Sequence, residues 1–428
     1  MAEAETIVTE EIEFFEVDGK KYVSNPDFDT FMKDAFGGSK SYTRYVNALK
    51  KVNITTTSTL FVMFKSDLED IEGISKSVAV KIYNHAQLVK RKGKVVLDYD
   101  GIKTREGEHV YLPTGSASLD KMMTYADSSV GWRSRTLIEL YGEPSKGKTQ
   151  ICYTAASIMM RAKDKGGWGR GVFYIDSEGA FEGKRFESLV KYWGVDPKFL
   201  KDNFLYSRVS TFDDVEAAIS EGADQIKEKN IGLIVLDSIM DPLKSQYVIG
   251  GENLNNLPAR QRHLKKVVDL LKSLADIHNL IVIYTNHVRA EIGAAKGSPA
   301  VGPQGGAVLG HASDIRIRLD NATKSEREEL KMDKTRWDKM KDLGIKLQRA
   351  KIVDCGFLGN NTGFFIIGPM GIGDPDRIDE IIEQTENIFN SGYMSITSTG
   401  AKIASPKKDK NFISRDDKIQ MNQKSLYG

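Results

Sequence analysis

The stretch that decides the fold is ELYGEPSKGKTQICYTAASIMM, residues 139–160, where an apolar run gives way to a glycine- and proline-containing loop before a helical pattern resumes. Residues 142–149 fit the pattern of glycine, four arbitrary residues, glycine, lysine and serine or threonine, which binds nucleotide phosphates. Such a loop directs backbone N–H groups into a concavity at the positive end of the following helix. The stretch therefore predicts the strand, phosphate loop and helix of an α/β nucleotide-binding domain.

The residues of this loop are assigned to ATP and Mg²⁺. Lys148 would reach the β- and γ-phosphates and act in catalysis, and the hydroxyl of Thr149 would help to hold Mg²⁺. Gly142 and Gly147 would keep the backbone close to the phosphates. The predicted cofactor-binding residues of the loop and the first helical turn are Gly142, Glu143, Pro144, Ser145, Lys146, Gly147, Lys148, Thr149 and Gln150.

A second motif supplies the metal partner that a phosphate loop needs. In IGLIVLDS, residues 231–238, an apolar run delivers Asp237 to the C-terminal end of a buried strand, where ligands of open α/β sheets bind. Asp237 would hold Mg²⁺ through water, together with Thr149. In YIDSEGAF, residues 174–181, Glu178 also follows a buried strand and would act in catalysis by positioning the attacking water.

Composition limits the possible classes of protein. The chain has 428 residues, enough for about two or three domains, and its 40% hydrophobic and 28% charged residues are typical of soluble globular proteins. With 61 basic and 59 acidic residues, any affinity for DNA must come from local patches. The two cysteines, Cys152 and Cys355, argue against a disulfide scaffold and a four-cysteine zinc site. The acidic start lacks a secretory signal and no membrane span is predicted, so we expect an intracellular protein.

The pattern along the chain predicts five regions. Residues after 110 alternate between helices and strands that are apolar on both faces, which indicates a parallel sheet flanked by helices. Past residue 313 we expect further strands at a hairpin edge, interrupted by a charged, helix-prone stretch at 321–344. The predicted regions are an acidic flexible tail (1–26), a helical N-terminal domain (27–92), a linker with an extended segment (93–110), a nucleotide-binding core (111–374) and a partly disordered C-terminal extension without strong periodicity (375–428).

Six segments together resemble, in order and spacing, the ATPase core of RadA-type recombinases, the archaeal and eukaryotic relatives of RecA. They are GEPSKGKTQI, YIDSEGAF, IVLDS, LPARQ, TNHV and GGAVLGHAS. In addition, LEDIEGISKSVAVKIYNHAQLV looks like the helix-hairpin-helix of that family's N-terminal domain. The resemblance covers roughly residues 60–370. It implies an α/β fold with a RecA-like P-loop ATPase core, in which a mostly parallel sheet is flanked by helices, and a small all-α N-terminal domain.

The resemblance implies further contacts with ATP. Arg185 matches the family arginine that stacks on adenine, a use to which a planar guanidinium is suited. His287 stands where the family has a glutamine that senses the γ-phosphate. His311 and Asp354 match residues that reach ATP from the neighbouring subunit, although the proline-containing segment expected after Asp354 is replaced by GFLG.

The resemblance also implies contacts with DNA in a hairpin and in two loops. In the N-terminal hairpin, Gly73 makes a turn whose backbone N–H groups can face a phosphate without sequence preference. The loops at 244–263 and 289–306 should both face DNA, and the second is long and has almost no periodicity. Gly251 replaces an arginine that the family usually has in the first loop. The loop residues assigned to DNA binding are Tyr247, Arg260, Arg262, Arg289, Ile292 and Lys296.

The linker segment expected to drive self-assembly departs from the pattern of the family. Family members polymerise through a Phe-x-x-Ala segment of the interdomain linker, but residues 91–110 contain neither phenylalanine nor alanine. Two interpretations remain open. Val96, Leu97 or Tyr99 serves as a substitute anchor, because KVVLDY is the only apolar, β-prone cluster of the linker; alternatively, assembly relies on ATP at the interface.

Taken together, the resemblance implies a DNA-dependent ATPase that forms ATP-bound helical filaments on single-stranded DNA and catalyses homologous pairing and strand exchange in recombinational repair. Its partners would be single- and double-stranded DNA, further copies of the chain and recombination mediator proteins. It would work in the cytoplasm on the nucleoid, or in the nucleus of a eukaryote. Two alternatives are an accessory paralogue that binds ATP without exchanging strands, which the missing loop arginine favours, and a ring-forming ATPase built on the same core.

Overall fold

The fold is described from a computed structural model of the chain. The described residues are 14–17, 19–24, 26–92, 98–244, 257–290, 301–390, 394–397 and 400–403. The chain divides into a large unit, residues 1–322 and 347–375, and a small unit, residues 323–346 and 376–428. None of the helices in the described ranges combines the length and the hydrophobicity that a membrane span requires.

The N-terminal part of the large unit contains a β-hairpin and a group of short helices. Strand β1 (Phe14–Val17) pairs antiparallel with β2 (Lys20–Val23). The helices that follow, where the sequence pattern predicts helices, are α1 (Phe28–Ala35), α2 (Tyr42–Lys51), α3 (Thr57–Val62), α4 (Lys65–Glu69) and α5 (Lys76–Lys90). Their apolar faces enclose a core of their own that includes the fully buried Phe31, Leu49 and Ile82.

The rest of the large unit is an α/β domain. It begins with α6 (Tyr99–Gly107), β3 (Tyr111–Leu112), α7 (Ala117–Met122) and β4 (Trp132–Arg133). The strands that follow are β5 (Thr136–Gly142), β6 (Gly171–Asp176), β7 (Phe204–Arg208), β8 (Ile231–Asp237), β9 (Ile281–Asn286), β10 (Val288–Ala290), β11 (Val301–Pro303), β12 (Ile315–Asn321), β13 (Lys346–Cys355), β14 (Thr362–Gly368) and β15 (Gly371–Gly373). The helices between them are α8 (Lys148–Met160), α9 (Gly183–Tyr192), α10 (Pro197–Asn203), α11 (Phe212–Gln225), α12 (Asp241–Lys244), α13 (Leu257–His278) and α14 (Gly306–Ala312).

One large sheet organises this domain. Among the described residues it has nine strands in the order β15-β14-β13-β12-β5-β9-β8-β6-β7. The pairs from β12 through β5, β9, β8 and β6 to β7 are parallel, whereas β12 pairs with β13, and β14 with β15, in antiparallel fashion. The predicted mostly parallel sheet flanked by helices and the predicted hairpin edge are therefore confirmed.

The central strands are buried on both faces, which explains their continuous apolar sequences. In β6, Val172 and Tyr174 belong to the core on the α8 side of the sheet, and Phe173 and Ile175 belong to the core on the α11 and α13 side. An apolar stripe of α13 lies in this second core, and each such burial contributes about 1.5–3 kcal/mol. Its buried members are Leu264, Val267, Val268, Leu271 and Leu274.

The N-terminal helices pack directly on the α/β domain. Val62 of α3 belongs to the core on the α11 and α13 side. The hydroxyls of Thr56 and Thr59 both donate to the carboxylate of Asp224, and Lys90 Nζ donates to the hydroxyl of Ser273 over 3.1 Å. Polar contacts at both ends of this surface therefore hold the helices against α11 and α13.

Two of the predicted regions differ from the structure near the N-terminus. The flexible tail was predicted to extend to residue 26, but residues 14–23 include the β1–β2 hairpin, in which the rings of Phe15 and Tyr22 stack 5.4 Å apart. The linker was predicted to contain an extended segment around residues 96–99, of which 96 and 97 lie outside the described residues; α6 occupies residues 99–107, capped by Asp98, which accepts from the Gly101 N–H over 2.8 Å. Helix α6 has no buried residue, so it lacks the apolar stripe that reveals a helix in a sequence.

The small unit corrects the prediction for the C-terminal extension. Helices α15 (Lys324–Glu329) and α16 (Lys334–Asp342) confirm that the charged stretch is helical, and α17 (Ile378–Asn390) and the antiparallel strands β16 (Met394–Thr397) and β17 (Gly400–Ile403) follow. The prediction that residues from 375 onward lose periodicity was wrong, because α17 buries a stripe at helical spacing. The buried residues are Ile378, Ile381, Ile382 and Thr385. The Arg336 guanidinium also donates to Asp379 over 3.0 and 2.7 Å, which ties α16 to α17.

Candidate nucleotide site and nucleic-acid interface

The phosphate loop joins β5, whose residues are all buried, to α8. Gly147 caps α8 with a φ of 100°, in the left-handed region that favours glycine. A Cβ atom at Gly147 would lie 2.6 Å from Cδ1 of Ile367. One at Gly142 would lie 2.4 Å from the carbonyl oxygen of Leu319. The backbone of the neighbouring strand β12 therefore requires glycine at position 142, and the left-handed backbone favours glycine at position 147; the loop pattern alone did not reveal the contact with β12.

Lys148 begins α8 and folds back onto the loop. Its Nζ donates to the carbonyl oxygens of Gly142 and Glu143 over 2.9 and 3.1 Å. Burial lowers the pKa of the Lys148 ammonium, and the carboxylates of Glu178 and Asp237 oppose this shift. The ammonium is thus held at the loop by weak carbonyl acceptors, which the oxygens of a phosphate chain can replace.

Asp237, at the end of β8, is buried and bonded by three hydroxyls. Thr149 Oγ1 donates over 2.8 Å and Tyr174 OH over 2.9 Å to its Oδ2, and Thr285 donates to its Oδ1. Burial raises the pKa of Asp237, and the hydroxyl bonds oppose this only in part. A buried carboxylate beside a threonine hydroxyl is an oxygen donor set that fits Mg²⁺, so Thr149 and Asp237 fit their predicted metal role. Tyr174 and Thr285 were missed, because each lies inside an apolar strand.

Glu178 and His287 form a pair across the end of the sheet. His287 Nε2 lies 2.8 Å from Glu178 Oε1, and both side chains are largely buried. The hydrogen bond from His287 lowers the pKa of Glu178, and Ser238 and Lys148 act in the same direction. The structure therefore brings together the residue predicted to position water and the residue predicted to sense the γ-phosphate, and it favours the carboxylate form of Glu178.

A turn organised by Asp176 carries Glu178. The carboxylate of Asp176 accepts from the backbone N–H of Gly179 over 2.7 Å and of Phe181 over 3.2 Å, and from the hydroxyl of Tyr206 over 3.0 Å. This Asx-type turn fixes the backbone on both sides of Glu178. Asp176 was missed as a site residue, although an aspartate three residues before a glycine at the end of a strand is a recognisable signal.

Buried polar side chains fix the backbone of His287 on the other side of the site. Asn286 donates to the carboxylate of Glu139 over 2.6 Å and to the carbonyl oxygen of Gln304 over 2.8 Å. Glu139 also accepts from Arg316 over 2.6 Å, and the Gln304 N–H donates to the carbonyl oxygen of His287 over 2.9 Å. The start of β10 and the end of β11 are therefore joined to the core directly beside His287.

The predicted adenine contact Arg185 lies beside the first turn of α8. Its guanidinium donates to Gln150 Oε1 over 3.0 Å and to the carbonyl oxygens of Gly368, over 2.7 Å, and Pro369. Burial lowers the pKa of Arg185 to about 10. The structure thus brings two of the predicted cofactor-binding residues, Arg185 and Gln150, into contact. Stacking of Arg185 on adenine stays a prediction.

His311 and Asp354 were predicted to reach ATP from a neighbouring subunit. His311 lies in α14 and Asp354 in β13, and both are exposed. Within the described residues, no hydrogen bond or ion pair connects either of them to Lys148, Thr149 or Asp237. Their contact with ATP across an interface stays a prediction.

The residues assigned to DNA lie in separate elements. Gly73, between α4 and α5, has a φ of 90°, so the predicted hairpin turn needs glycine there. Arg260 and Arg262 lie in the first turns of α13, where Arg260 is half-buried and Arg262 is exposed. Arg289 lies in β10, opposite Gly302 of β11.

Several predicted residues lie outside the described part of the chain. They are Tyr247, Ile292 and Lys296 of the DNA loops and Val96 and Leu97 of the linker. Tyr99, the third candidate anchor, was expected in an extended segment. It is instead the first residue of α6, because Asp98 caps the helix immediately before it. Its surface is 69% exposed. Tyr99 is thus accessible but not part of a strand.

The family model described as Rad51 matches residues 105–343, more than half of the chain. The chain belongs to the Rad51 family. The Rad51 match confirms the resemblance to RadA-type recombinases and the RecA-like α/β fold, and the matched region contains the phosphate loop, Glu178, Asp237 and His287.

Similar proteins come from eukaryotes and archaea. The chain is 29% identical over 337 residues to the DNA repair protein RAD51 of Saccharomyces cerevisiae, covering 78% of this chain and 76% of that protein. It is 30% identical over 304 residues to the DNA repair and recombination protein RadA of Ignicoccus hospitalis, covering 68% and 83%. It is 27% identical over 350 residues to RadA of Aeropyrum pernix, covering 79% of this chain and all of that protein.

Proposed function

We propose that this protein is a DNA-dependent ATPase that forms ATP-bound filaments on single-stranded DNA and catalyses homologous pairing and strand exchange in recombinational DNA repair. One observation carries the proposal. In a chain of the Rad51 family, the phosphate loop presents Lys148 and Thr149 beside Asp237, and Glu178 follows the adjacent strand β6. This arrangement has a place for each part of ATP hydrolysis.

ATP would bind with its phosphates over the N-terminus of α8. The phosphate oxygens would replace the carbonyl oxygens of Gly142 and Glu143 as acceptors for Lys148, which would stabilise the charge on the transferred phosphoryl group. Thr149 and Asp237 would hold Mg²⁺, which neutralises phosphate charge when it is bound. Bound Mg²⁺ would offset the free-energy cost of burying the Asp237 carboxylate, since a nearby cation favours the charged form of the carboxyl group.

Glu178 would position the attacking water. Its hydrogen bond with His287 favours the carboxylate, which is the form that can accept a proton. The bond also holds the side chain in one orientation, at the end of a turn that Asp176 fixes. His287 would thus support Glu178 in addition to its predicted place near the γ-phosphate.

DNA would bind through the hairpin turn at Gly73 and through the two loops. The second loop lies between β10 and β11, and this pair of strands is bonded to the core beside His287 through Gln304. A change at this loop on DNA binding would therefore be transmitted to the Glu178–His287 pair, which gives a physical basis for DNA-dependent hydrolysis.

Assembly would bring exposed residues of one chain to the ATP of the next. His311 and Asp354 are accessible for such a contact, and Val96, Leu97 or the exposed Tyr99 would provide an anchor from the linker. The protein would act inside the cell, at the nucleoid or in a nucleus, together with mediator proteins.

An accessory paralogue is the second candidate function. Gly251 in place of a DNA-facing arginine and His287 in place of a glutamine favour it. Such a protein would hydrolyse or bind ATP without exchanging strands.

The test is to measure ATP turnover with and without single-stranded DNA, strand exchange between homologous DNAs, and assemblies by negative-stain electron microscopy. DNA-stimulated turnover, filaments and exchanged strands are expected. Turnover without exchange would favour the accessory paralogue, and closed rings in place of filaments would contradict the proposal.

A further inference from the structure

A group of metal-ligating side chains shares no residue with the Thr149–Asp237 pair. One carboxylate oxygen of Glu178, one of Asp241 and one imidazole nitrogen of His287 all lie within 4.8 Å of one another. It is the one group of three such side chains in the part of the chain that the structure describes. It mixes nitrogen and oxygen donors, unlike the oxygen donors offered by Thr149 and Asp237.

The three side chains come from segments that follow three adjacent strands. Glu178 follows β6, Asp241 begins α12 after β8, and His287 directly follows β9, and these strands are neighbours in the order β9-β8-β6. The backbone of two of them is fixed, because the turn at Asp176 holds Glu178 and the hydrogen bond from Gln304 holds His287. The central strands of the sheet therefore position all three side chains.

A buried hydroxyl beside the group gives a second, independent indication. The side chain of Ser238 is fully buried, and its Oγ has no hydrogen-bond partner among the described residues. It nevertheless lies close enough to the Glu178 carboxylate to stabilise its charged form. An ordered water or a bound ion can complete the hydrogen bonding of such a buried polar atom, and here the atom lies beside the three ligating side chains.

The geometry fits one metal ion after a small adjustment. Ligand atoms about 2.0–2.2 Å from one ion lie at most about 4.4 Å apart. The present spacing of up to 4.8 Å therefore requires side-chain movements of well under about 1 Å. The 2.8 Å bond between His287 and Glu178 would be the metal-free form of the site, in which a proton joins two ligands that the ion would otherwise join.

The donor set indicates the class of metal. Mg²⁺ prefers oxygen ligands in octahedral geometry, whereas imidazole together with carboxylates suits divalent transition-metal ions. We propose that Glu178, Asp241 and His287 form a second cation site, which binds a divalent transition-metal ion such as Zn²⁺ or Mn²⁺ and is separate from the Mg²⁺ bound with ATP.

Metal binding at this site inhibits ATP hydrolysis. An ion that takes the Glu178 carboxylate as a ligand withdraws the group that positions the attacking water. This consequence rests on the proposed function of Glu178, but the binding of the ion does not.

The binding test uses the full-length, nucleotide-free protein in calorimetric titrations with ZnCl₂, MnCl₂ and MgCl₂. The site predicts one Zn²⁺ per chain, bound more tightly than Mg²⁺. Asp241→Asn and His287→Gln should each weaken Zn²⁺ binding about tenfold or more. The matched control is His263→Gln, which removes an imidazole 3.5 Å from the carboxylate of Glu216 and should leave the affinity unchanged.

Three results would overturn the cation site: no binding of Zn²⁺ or Mn²⁺, equal affinities in wild type and both site variants, or Mg²⁺ bound as tightly as Zn²⁺. Asp241→Asn preserves side-chain volume, so its affinity for Zn²⁺ tests the site even if His287→Gln fails to fold. Circular dichroism shows whether each variant is folded.

A separate kinetic test addresses inhibition. Zn²⁺ added to the protein at saturating Mg²⁺ and ATP should slow turnover, and Asp241→Asn should need at least about tenfold more Zn²⁺ for the same effect. Zn²⁺ bound at the three residues without slower turnover would contradict inhibition. Absence of turnover before Zn²⁺ is added would contradict the proposed function, while the calorimetric result still decides the cation site.

Discussion

His287 Nε2 lies 2.8 Å from Glu178 Oε1, so the residue assigned to the γ-phosphate is bonded to the residue assigned to the attacking water. The two residues are 109 positions apart in the chain, and they meet because β6 and β9 both flank β8 in the sheet. The bond makes the ionisation of Glu178 depend on His287, which leads to the first prediction.

The pH dependence of ATP hydrolysis should change when His287 is replaced. Glu178 acts as a carboxylate, and the hydrogen bond from His287 lowers its pKa. Activity falls as the pH drops through this pKa, so the wild type should remain active to lower pH than His287→Ala. His287→Gln keeps a donor but no charge and should lie between them. The measurement is steady-state turnover from pH 4.5 to 7, and coinciding acid limbs for all three proteins would contradict the assigned cause.

Glu178→Gln should separate ATP binding from ATP hydrolysis. The amide keeps the size of the side chain but cannot accept the proton, so turnover should fall by about 100-fold or more, whereas ATP binding and ATP-dependent DNA complexes should persist. Lys148→Ala should instead lose turnover completely, because it removes charge from the phosphate loop. Single-turnover kinetics and fluorescent ATP binding measure both effects. Glu187→Gln, at an exposed position of α9, is the control, and wild-type turnover in Glu178→Gln would remove Glu178 from the mechanism.

Asp237→Asn should stabilise the nucleotide-free protein while removing its response to Mg²⁺ and ATP. Burial raises the pKa of Asp237 in the folded protein, so the folded state binds the proton more tightly than the unfolded state, and stability is lost as the pH rises through the folded pKa. The uncharged amide of the variant Asp237→Asn removes the free-energy cost of burying a charged carboxylate. We expect a higher Tm at pH 7, by about 2–4 °C for each kcal/mol gained, and a smaller gain at pH 4 to 5.

Differential scanning calorimetry with and without Mg²⁺ and ATP measures both parts of this prediction. The wild type should gain stability from the ligands, and Asp237→Asn should gain little. A lower Tm for the variant at pH 7 would mean that the hydroxyl bonds to the carboxylate outweigh the cost of its burial.

The sequence located the phosphate loop, Asp237 and Glu178 because each follows an apolar strand within a short motif. It did not reveal the bond between Glu178 and His287, since the order of strands in the sheet depends on contacts between distant segments. The hydroxyls around Asp237 were missed for a related reason: Tyr174 and Thr285 are part of apolar strands, and only the packed sheet directs them to one carboxylate.

The predictions for the linker and for the C-terminal extension were wrong for different reasons. Helix α6 buries none of its residues, so no periodic signal existed for a sequence prediction to use. Helix α17, in contrast, does carry a readable signal, with buried isoleucines three and four positions apart. The prediction of a partly disordered extension followed instead from the lysine-rich composition of the residues after this helix.

Gly147→Ala should damage the phosphate loop through its backbone. The position has a φ of 100°, and the added Cβ would lie 2.6 Å from Ile367, so we expect a loss of about 1–3 kcal/mol from the backbone strain alone and weaker ATP binding. Gly183→Ala is the matched control, because among the described residues, apart from its chain neighbours and the backbone of its own helix, no atom lies within 4 Å of its added Cβ. Denaturant unfolding and ATP titration test both variants, and equal stability of the two would contradict the steric requirement.

Arg262→Ala should weaken binding to single-stranded DNA without changing base preference. Arg262 is exposed in the first turns of α13, within the segment 244–263 assigned to the first DNA loop, so its guanidinium is accessible to a phosphate. Loss of one phosphate contact should reduce the slope of log affinity against log salt by about 0.7 on single strands, equally for different sequences. Lys198→Ala removes one positive charge at an exposed position of α10 and controls for net charge. Fluorescence anisotropy over a range of salt concentrations provides the measurement. If both variants reduced the slope equally, the effect would belong to the charge of the whole protein and Arg262 would have no place in the DNA interface.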